Sequence, residues 1–311
     1  MPRSKQLTMR EAIAAYVEDG ATVALEGFTH LIPVAAGHEL IRQRRRDLTL
    51  VRMTPDIVFD QLIAAGAARA MIFSFTGNSS VGSLHAIRRA VERREPSGLE
   101  IEEYSHFGLL ARYLAGAANL PFYPLRSYAG SDLPAHNPRI AKVASPFPDP
   151  DGGVEEIYVV PPIRPDVAIL HAQRADRAGN VQAWGILGPL QEVAFASART
   201  IVVVEEIVDD EVIRADPNRT VIPGFAIDAV VECPRGAHPS FVQGYYDRDN
   251  DFYRSWPEIS KDPAALDRWL HEWIHDLPDH AAYLDKLGPG YFDRLIPEPA
   301  MSHPVDYGCT R

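Results

Sequence analysis

The chain has 311 residues, enough for one large domain or two smaller ones at ~100–200 residues each, with a core that needs no metal or disulfide. Its 46% hydrophobic and 23% charged residues exclude a disordered chain, a fibrous repeat and a disulfide-stapled mini-protein. Asp and Glu outnumber Lys and Arg by 42 to 31, giving a formal charge of −11, which disfavours general binding to nucleic acid or anionic membrane.

The first half alternates helical and strand patterns. Thr8-Met9-Arg10-Glu11 reads as a capping box, followed by Ala12, Ile13, Tyr16 and Val17 on one helical face and by Gly20 as a stop. Residues 21–25 form a short apolar strand that leads into Glu26-Gly27-Phe28. A second helix opens at Pro33 and runs to about Arg46. Its basic run, Arg42-Gln43-Arg44-Arg45-Arg46, suits a helix C-terminus. Residues 48–51 read as a strand. Residues 56–65 read as a helix with Ile57, Val58, Leu62 and Ile63 inward. Then come a strand at 71–75, a helix at 84–94 with Ile87 and Val91 inward, a strand at 99–102 and a helix at 106–118. Strands spaced by such helices predict βαβ units: an α/β fold with a mostly parallel sheet flanked by helices.

The middle is proline-rich, with Pro134, Pro138, Pro146, Pro148, Pro150 and Pro161-Pro162 around a turn cluster at 149–153. It reads as a surface excursion or a lobe boundary. Residues 167–170 and 201–204 are continuous apolar runs, as buried parallel strands require, with a helix at 187–198 between them. From about Tyr246 the texture changes, and Trp256, Trp269 and Trp273 are interleaved with tyrosines and charges. The expected division is an α/β domain at 1–245 and a helical, aromatic-rich C-terminal extension at 246–311, its aromatics serving as core. No apolar run approaches the ~20 residues of a membrane span. Residues 1–11 lack the apolar centre of a signal peptide, and Cys233 and Cys309 read as free thiols. The expected compartment is the cytoplasm.

In a parallel α/β sheet, ligands sit beyond the carboxyl ends of the strands. That rule selects four turns: Glu26-Gly27-Phe28-Thr29-His30, Ser74 to Gly82, Glu102-Glu103-Tyr104-Ser105-His106, and Arg174 to Asn180. The turn after Phe75, with Thr76, Gly77, Asn78, Ser79 and Ser80, has the glycines and short polar side chains of an anion or oxyanion cradle. It is neither a Walker loop nor G-x-G-x-x-G. A plain tight turn fits it equally. His106 opens a helix after a strand, where the dipole favours neutral imidazole, and a capping or core histidine fits there too. Glu102 and Glu103 face opposite sides of their strand, so at most one can share a cleft with His106. His271 and His275 stand at i, i+4 without a convincing third ligand, so no metal site is expected. No G-x-S-x-G elbow is present.

At these turns the sequence resembles the family I CoA-transferases, specifically the alpha-type (A) half of the glutaconate and 3-oxoacid enzymes. The resemblance extends to about Ser240. It rests on Gly27-Phe28, the segment from Leu99 to His106, the segment from His171 to Asn180, Val204-Glu205-Glu206-Ile207-Val208, and Gly236-Ala237-His238-Pro239-Ser240, in that order. It implies a fold shared with ribose-5-phosphate isomerase and glucosamine-6-phosphate deaminase, and a site between A and B subunits, often in an A2B2 assembly. It also implies ping-pong transfer of CoA between an acyl-CoA and a carboxylic acid, through a glutamyl-CoA intermediate. That glutamate belongs to a Ser-Glu-Asn-Gly-like motif of the B subunit, and no such motif occurs here.

The resemblance thus casts this chain as the supporting half, supplying oxyanion donors. It assigns substrate and CoA contacts to Gly27, Phe28, Thr29, Ser74, Thr76, Gly77, Asn78, Glu103 and Ser105, with Glu26 and Thr29 standing where the family often has glycines. His106 falls where 3-oxoacid transferases carry a substrate-binding glutamine, and so becomes the catalytic candidate. No cofactor is expected beyond the CoA ester as substrate. The alternatives are a CoA-ester hydrolase or ring-opening C–C hydrolase on the same A–B scaffold, as in steroid catabolism, and a sugar-phosphate-binding module.

Overall fold

The computed structural model describes residues 4–78, 81–95, 98–149, 151–297 and 308. Ser79, Ser80, Pro150 and Cys309, and the first three residues of the chain, lie outside them. The first half follows the expected alternation: α1 (Met9–Tyr16), β1 (Thr22–Glu26), α2 (Val34–Arg42), β2 (Leu48–Val51), α3 (Ile57–Ala64), β3 (Ala68–Phe73), α4 (His85–Glu92), β4 (Glu100–Glu103) and α5 (His106–Ala117). The Thr8 capping box forms as expected, with the hydroxyl oxygen accepting from Glu11 N–H and the Glu11 carboxylate from Thr8 N–H. Two helices stop early. α1 ends before Gly20, and α2 ends at Arg42 because Arg44 (φ 55°) and Asp47 (φ 57°) turn left-handed. In α4 the inward residues are Ala86, Ile87 and Ala90, whereas Val91 is exposed.

The proline-rich middle is not irregular. It contains β5 (Tyr123–Leu125), the short α6 (Leu133–His136), β6 (Ala141–Pro148) and β7 (Val154–Val160), and the three strands form an antiparallel sheet in the order β5-β7-β6. β6 is an edge strand, so Pro146 and Pro148 can lack N–H groups without breaking a central ladder. The rest comprises β8 (Val167–Asp176), β9 (Val181–Gln182), α7 (Leu190–Ala196), β10 (Arg199–Val208), α8 (Asp210–Ala215), β11 (Thr220–Ile222) and β12 (Ala229–Glu232). Residues 177–180 form a β8–β9 hairpin turn, not the expected strand-to-helix turn. The Asp176 carboxylate accepts from Ala178 and Asn180 N–H, both at 2.9 Å.

The main sheet runs β12-β10-β8-β1-β2-β3-β4, all parallel, with β9 and β11 added antiparallel at the end of β8. Its central strands are buried on both faces. One face packs against α1 to α4 and the C-terminal helices, the other against α5, α7 and the small sheet. The C-terminal segment forms α9 (Asn250–Lys261), α10 (Pro263–Leu270), a π-turn at His271–His275 and α11 (His280–Leu287). Tyr253, Trp256, Leu266, Trp269 and Ile274 belong to the same core as β1 to β3. Among the described residues, no helix is long and apolar enough to cross a membrane. Cys233 is a buried free thiol, pushed up to about 12 by that burial.

The Trp256 indole N–H donates to Asp60 Oδ2 at 2.9 Å, and Ile87 N–H donates to Asp60 Oδ1 at 2.8 Å. Asp60 is fully buried, and burial raises its carboxyl to about 6. Trp256→Phe strands one of these oxygens. We expect a loss of about 1–3 kcal/mol in urea unfolding, and a loss indistinguishable from zero would refute the role given to this bond.

Candidate functional site

The chain reverses sharply at the carboxyl end of β1. A Cβ on Gly27 would run into the carbonyls of His30 and Leu31, so only glycine allows the turn to fold back over itself. Thr29 (φ 65°) and Leu31 (φ 53°) are left-handed, which is strained for a β-branched or bulky residue. The turn is held from outside by Leu31 N–H donating to the Phe241 carbonyl and by the Ser240 hydroxyl donating to the Thr29 carbonyl, both at 3.2 Å.

From beneath, two buried charged side chains grip Gly27. The Glu26 carboxylate accepts from Gly27 N–H (3.3 Å) and Met53 N–H (3.0 Å). The Arg52 guanidinium donates to the Gly27 carbonyl at 3.1 and 2.8 Å and to Asp56 at 2.7 Å. Among the described residues the only cis peptide is His238–Pro239, so the Gly27–Phe28 peptide is trans. With its carbonyl drawn inward, its N–H, carried by Phe28, points the other way. The Phe28 N–H forms no hydrogen bond among the described residues.

Against the Phe28 side chain stands α5. Ser105 caps it, accepting from Gly108 N–H at 3.0 Å, and His106 is its exposed first residue. The Phe28 and His106 rings meet edge to face, with centroids 5.7 Å apart. The structure thus brings Gly27, Phe28, Thr29, Ser105 and His106 together. Neither neighbouring carboxylate bonds to His106. Glu102 is taken by Arg112, by Arg139 at 3.0 Å and by the Tyr104 hydroxyl at 2.5 Å, while Glu103 is exposed.

In the described part of the expected anion cradle, residues 74–78, most donors are spent within the protein, while Ser79 and Ser80 lie outside the described residues. Ser74 and Phe75 N–H donate to the Met53 carbonyl at 3.2 and 3.1 Å, and Gly77 N–H donates to Pro55 at 3.2 Å. The Ser74 and Thr76 hydroxyls donate to the same two carbonyls. Asn78 is buried and gives its amide to the Tyr253 carbonyl of α9 at 2.8 Å, so it anchors the C-terminal extension.

Sequence reasoning missed the loop at 184–188, which closes over the β1 turn. The His30 Nε2–H donates to the Ile186 carbonyl at 2.8 Å, and Gly188 (φ 56°) lies flush against the Phe28 Cβ. Gln173 holds the Trp184 backbone through both its N–H and its carbonyl, at 3.2 and 3.0 Å. The presence of Gln173 among apolar strand residues was the available signal. His171 bonds Glu205 Oε1 at 2.8 Å, and Glu205 also accepts from the Tyr246 hydroxyl (2.9 Å) and Arg235 N–H (2.6 Å). One buried carboxylate therefore joins three separate polar segments of the sequence. The His271 and His275 rings stand 5.0 Å apart in the C-terminal extension. Among the described residues no three His, Cys, Asp or Glu side chains form a metal cluster.

A coenzyme A transferase family model matches residues 6–233. The chain belongs to the coenzyme A transferase family. It is 52% identical to the A subunit of 3-oxoadipate CoA-transferase from Pseudomonas knackmussii, over 91% of this chain and 98% of that relative. It is 38% identical to the A subunit of glutaconate CoA-transferase from Acidaminococcus fermentans, over 97% and 98%. The crystal structure of glutaconate coenzyme A-transferase from Acidaminococcus fermentans superposes with a TM-score of 0.87 at 36% identity, covering 97% of this chain and 99% of that one. In this coenzyme A transferase chain, the matched region spans the whole parallel sheet, including the β1 turn and His106.

Burial holds His30 down to about 4, against the opposing effect of its bond to Ile186, while an unfolded histidine titrates near 6.5. Between these values the unfolded chain takes up a proton that the folded one refuses. This contribution to stability is therefore whole above pH 6.5 and is lost as pH falls towards 4. His30→Gln keeps a donor for Ile186 without titrating. The melting-temperature gap between wild type and variant should shrink from about pH 7 to about pH 4.5, and a constant gap would refute the assignment.

Proposed function

We propose that this chain is the A subunit of a heteromeric CoA-transferase that moves CoA between an acyl-CoA and a carboxylic acid, with a B subunit supplying the nucleophilic glutamate in an A2B2 assembly. The observation that carries this reading is the glycine turn at the end of β1, whose Phe28 ring meets His106 and whose Phe28 N–H forms no hydrogen bond among the described residues, in a coenzyme A transferase chain that has no Ser-Glu-Asn-Gly motif of its own. The acyl groups we favour are short dicarboxylic acids, because the relatives at 52% and 38% identity are named for 3-oxoadipate and glutaconate. The free buried thiol of Cys233 fits a reducing compartment, the cytoplasm.

In this mechanism a glutamate carboxylate oxygen of the partner adds to the thioester carbonyl. The C–S bond breaks, CoA leaves as thiolate, and an acyl-glutamyl anhydride remains. The thiolate then adds to the glutamyl carbonyl and expels the acyl group as its carboxylate, leaving a glutamyl-CoA thioester. An acceptor carboxylate reverses these steps with a new acyl group. Every addition places negative charge on an oxygen, and a donor fixed in advance at that position is worth ~3 kcal/mol. The Phe28 N–H serves as the backbone donor of this chain and His106 as its side-chain donor. Ser105 fixes the helix end that carries His106. The hydrolase alternative has less support, since both relatives named above are transferase subunits.

The test uses the complex with the B subunit, incubated with a panel of acyl-CoAs that includes 3-oxoadipyl-CoA, then treated with borohydride and weighed as intact chains. We expect a changed mass on the B chain only, no turnover by this chain by itself, and a fall in kcat on the order of 10²-fold in His106→Ala. Unchanged masses with free CoA accumulating would replace transfer by hydrolysis.

A further inference from the structure

We propose that Glu26 and Arg52 are positioning residues for transfer: together they clamp both peptide groups of Gly27 from beneath, and this clamp aims the Phe28 N–H at the reacting oxygen. The inference rests on the donor role given to Phe28 above. Glu26 takes the N–H that enters Gly27, and Arg52 takes the carbonyl that leaves it. A peptide held at its carbonyl cannot rotate its N–H. Both side chains are at most 1% exposed, so no water competes for these bonds.

The clamp has its own support. Asp56 pairs with Arg52, and the Tyr253 hydroxyl of α9 donates to Asp56 Oδ2 at 3.1 Å. The Tyr113 hydroxyl of α5 approaches Glu26 Oε2 at 3.4 Å. Elements from both faces of the sheet thus converge on one turn. Around Glu26 the facing charged or titratable groups are Arg52 from the end of β2, with its partner Asp56, and Tyr113 from α5. Burial raises the Glu26 carboxyl to about 7, with Arg52 opposing. The ionised carboxylate accepts from Gly27 and Met53 N–H more strongly than the neutral acid does. The grip therefore strengthens as pH rises through that value and slackens below it.

The experiment compares wild type, Glu26→Gln and Arg52→Lys in complex with the B subunit, reading kcat, KM and the pH profile, with hydrogen exchange of residues 25–33 measured alongside. Gln keeps the volume of Glu but presents an NH2 group to one of the two N–H donors. Lys keeps the charge but cannot fork to Gly27 and Asp56 at once. We expect kcat to fall at least ~10-fold in both variants with KM within about threefold, a misplacement effect. We also expect faster exchange across the turn, and loss in Glu26→Gln of the wild-type fall in kcat towards acid pH. Wild-type kcat with unchanged exchange in either variant would overturn the clamp. A wild-type complex that transfers no CoA would overturn the functional reading instead. The exchange data would still decide the clamp in that case.

Discussion

Arg52 is a guanidinium with 1% exposure, and everything at the carboxyl edge of the sheet is arranged around it. An unpaired buried charge costs several kcal/mol, so the fold must surround it with acceptors. Asp56 supplies one, the Gly27 carbonyl takes two of its N–H groups, and Glu26 adds a second carboxyl nearby. Satisfying one cation thereby fixes the start of α3, the end of β1 and the direction of the Gly27–Phe28 peptide. The strain at Thr29 becomes tolerable in the same way, because the residues on both sides of it are already pinned.

The C-terminal extension is part of this arrangement. Tyr253 holds Asp56, Asn78 holds the Tyr253 carbonyl, and Trp256 holds Asp60, so α9 is bonded to the turns after β2 and β3 and to α3. A second buried set ties the extension to the segment that grips Thr29. His238 bonds the Tyr283 hydroxyl at 2.8 Å and Asp249 at 3.0 Å, and Asp249 also accepts from Tyr291 and Arg294. Burial works against that carboxylate, but the bonds from His238 and Tyr291 hold it down to about 2. Residues 236–240 therefore transmit the position of α11 to Ser240, and Ser240 to the β1 turn.

Much of this was legible in the residues. Continuous apolar runs such as 201–204 can only be strands buried on both faces, and the Thr8 capping box fixes a helix start by local chemistry alone. The rule that ligands gather beyond parallel strand ends selected the Gly27 turn and His106, and the structure places those two side by side. The same rule selected Ser74 to Asn78, and sequence cannot show that most of their donors go to Met53, Pro55 and Tyr253. β6 was hidden because proline reads as a breaker unless the strand is known to lie at an edge. The loop at 184–188 was hidden because its importance comes from contact with a turn more than 150 residues away in sequence.

On the proposed reading, the composition of the site follows from what a half-site without the nucleophile would supply. A chain without the nucleophile can lower the barrier only through groups already in place when charge develops. Such groups must be rigid, because a donor that has to be ordered during the reaction loses its advantage. A backbone N–H suits this task if its peptide cannot turn, and a buried charge pair prevents that turning better than any surface contact. Conserving the turn sequence alone would therefore not conserve the donor role proposed for it. The side chains that fix it come from the end of β1 (Glu26), the β2–α3 turn (Arg52, Asp56), α5 (Tyr113) and α9 (Tyr253), and every one of them is buried.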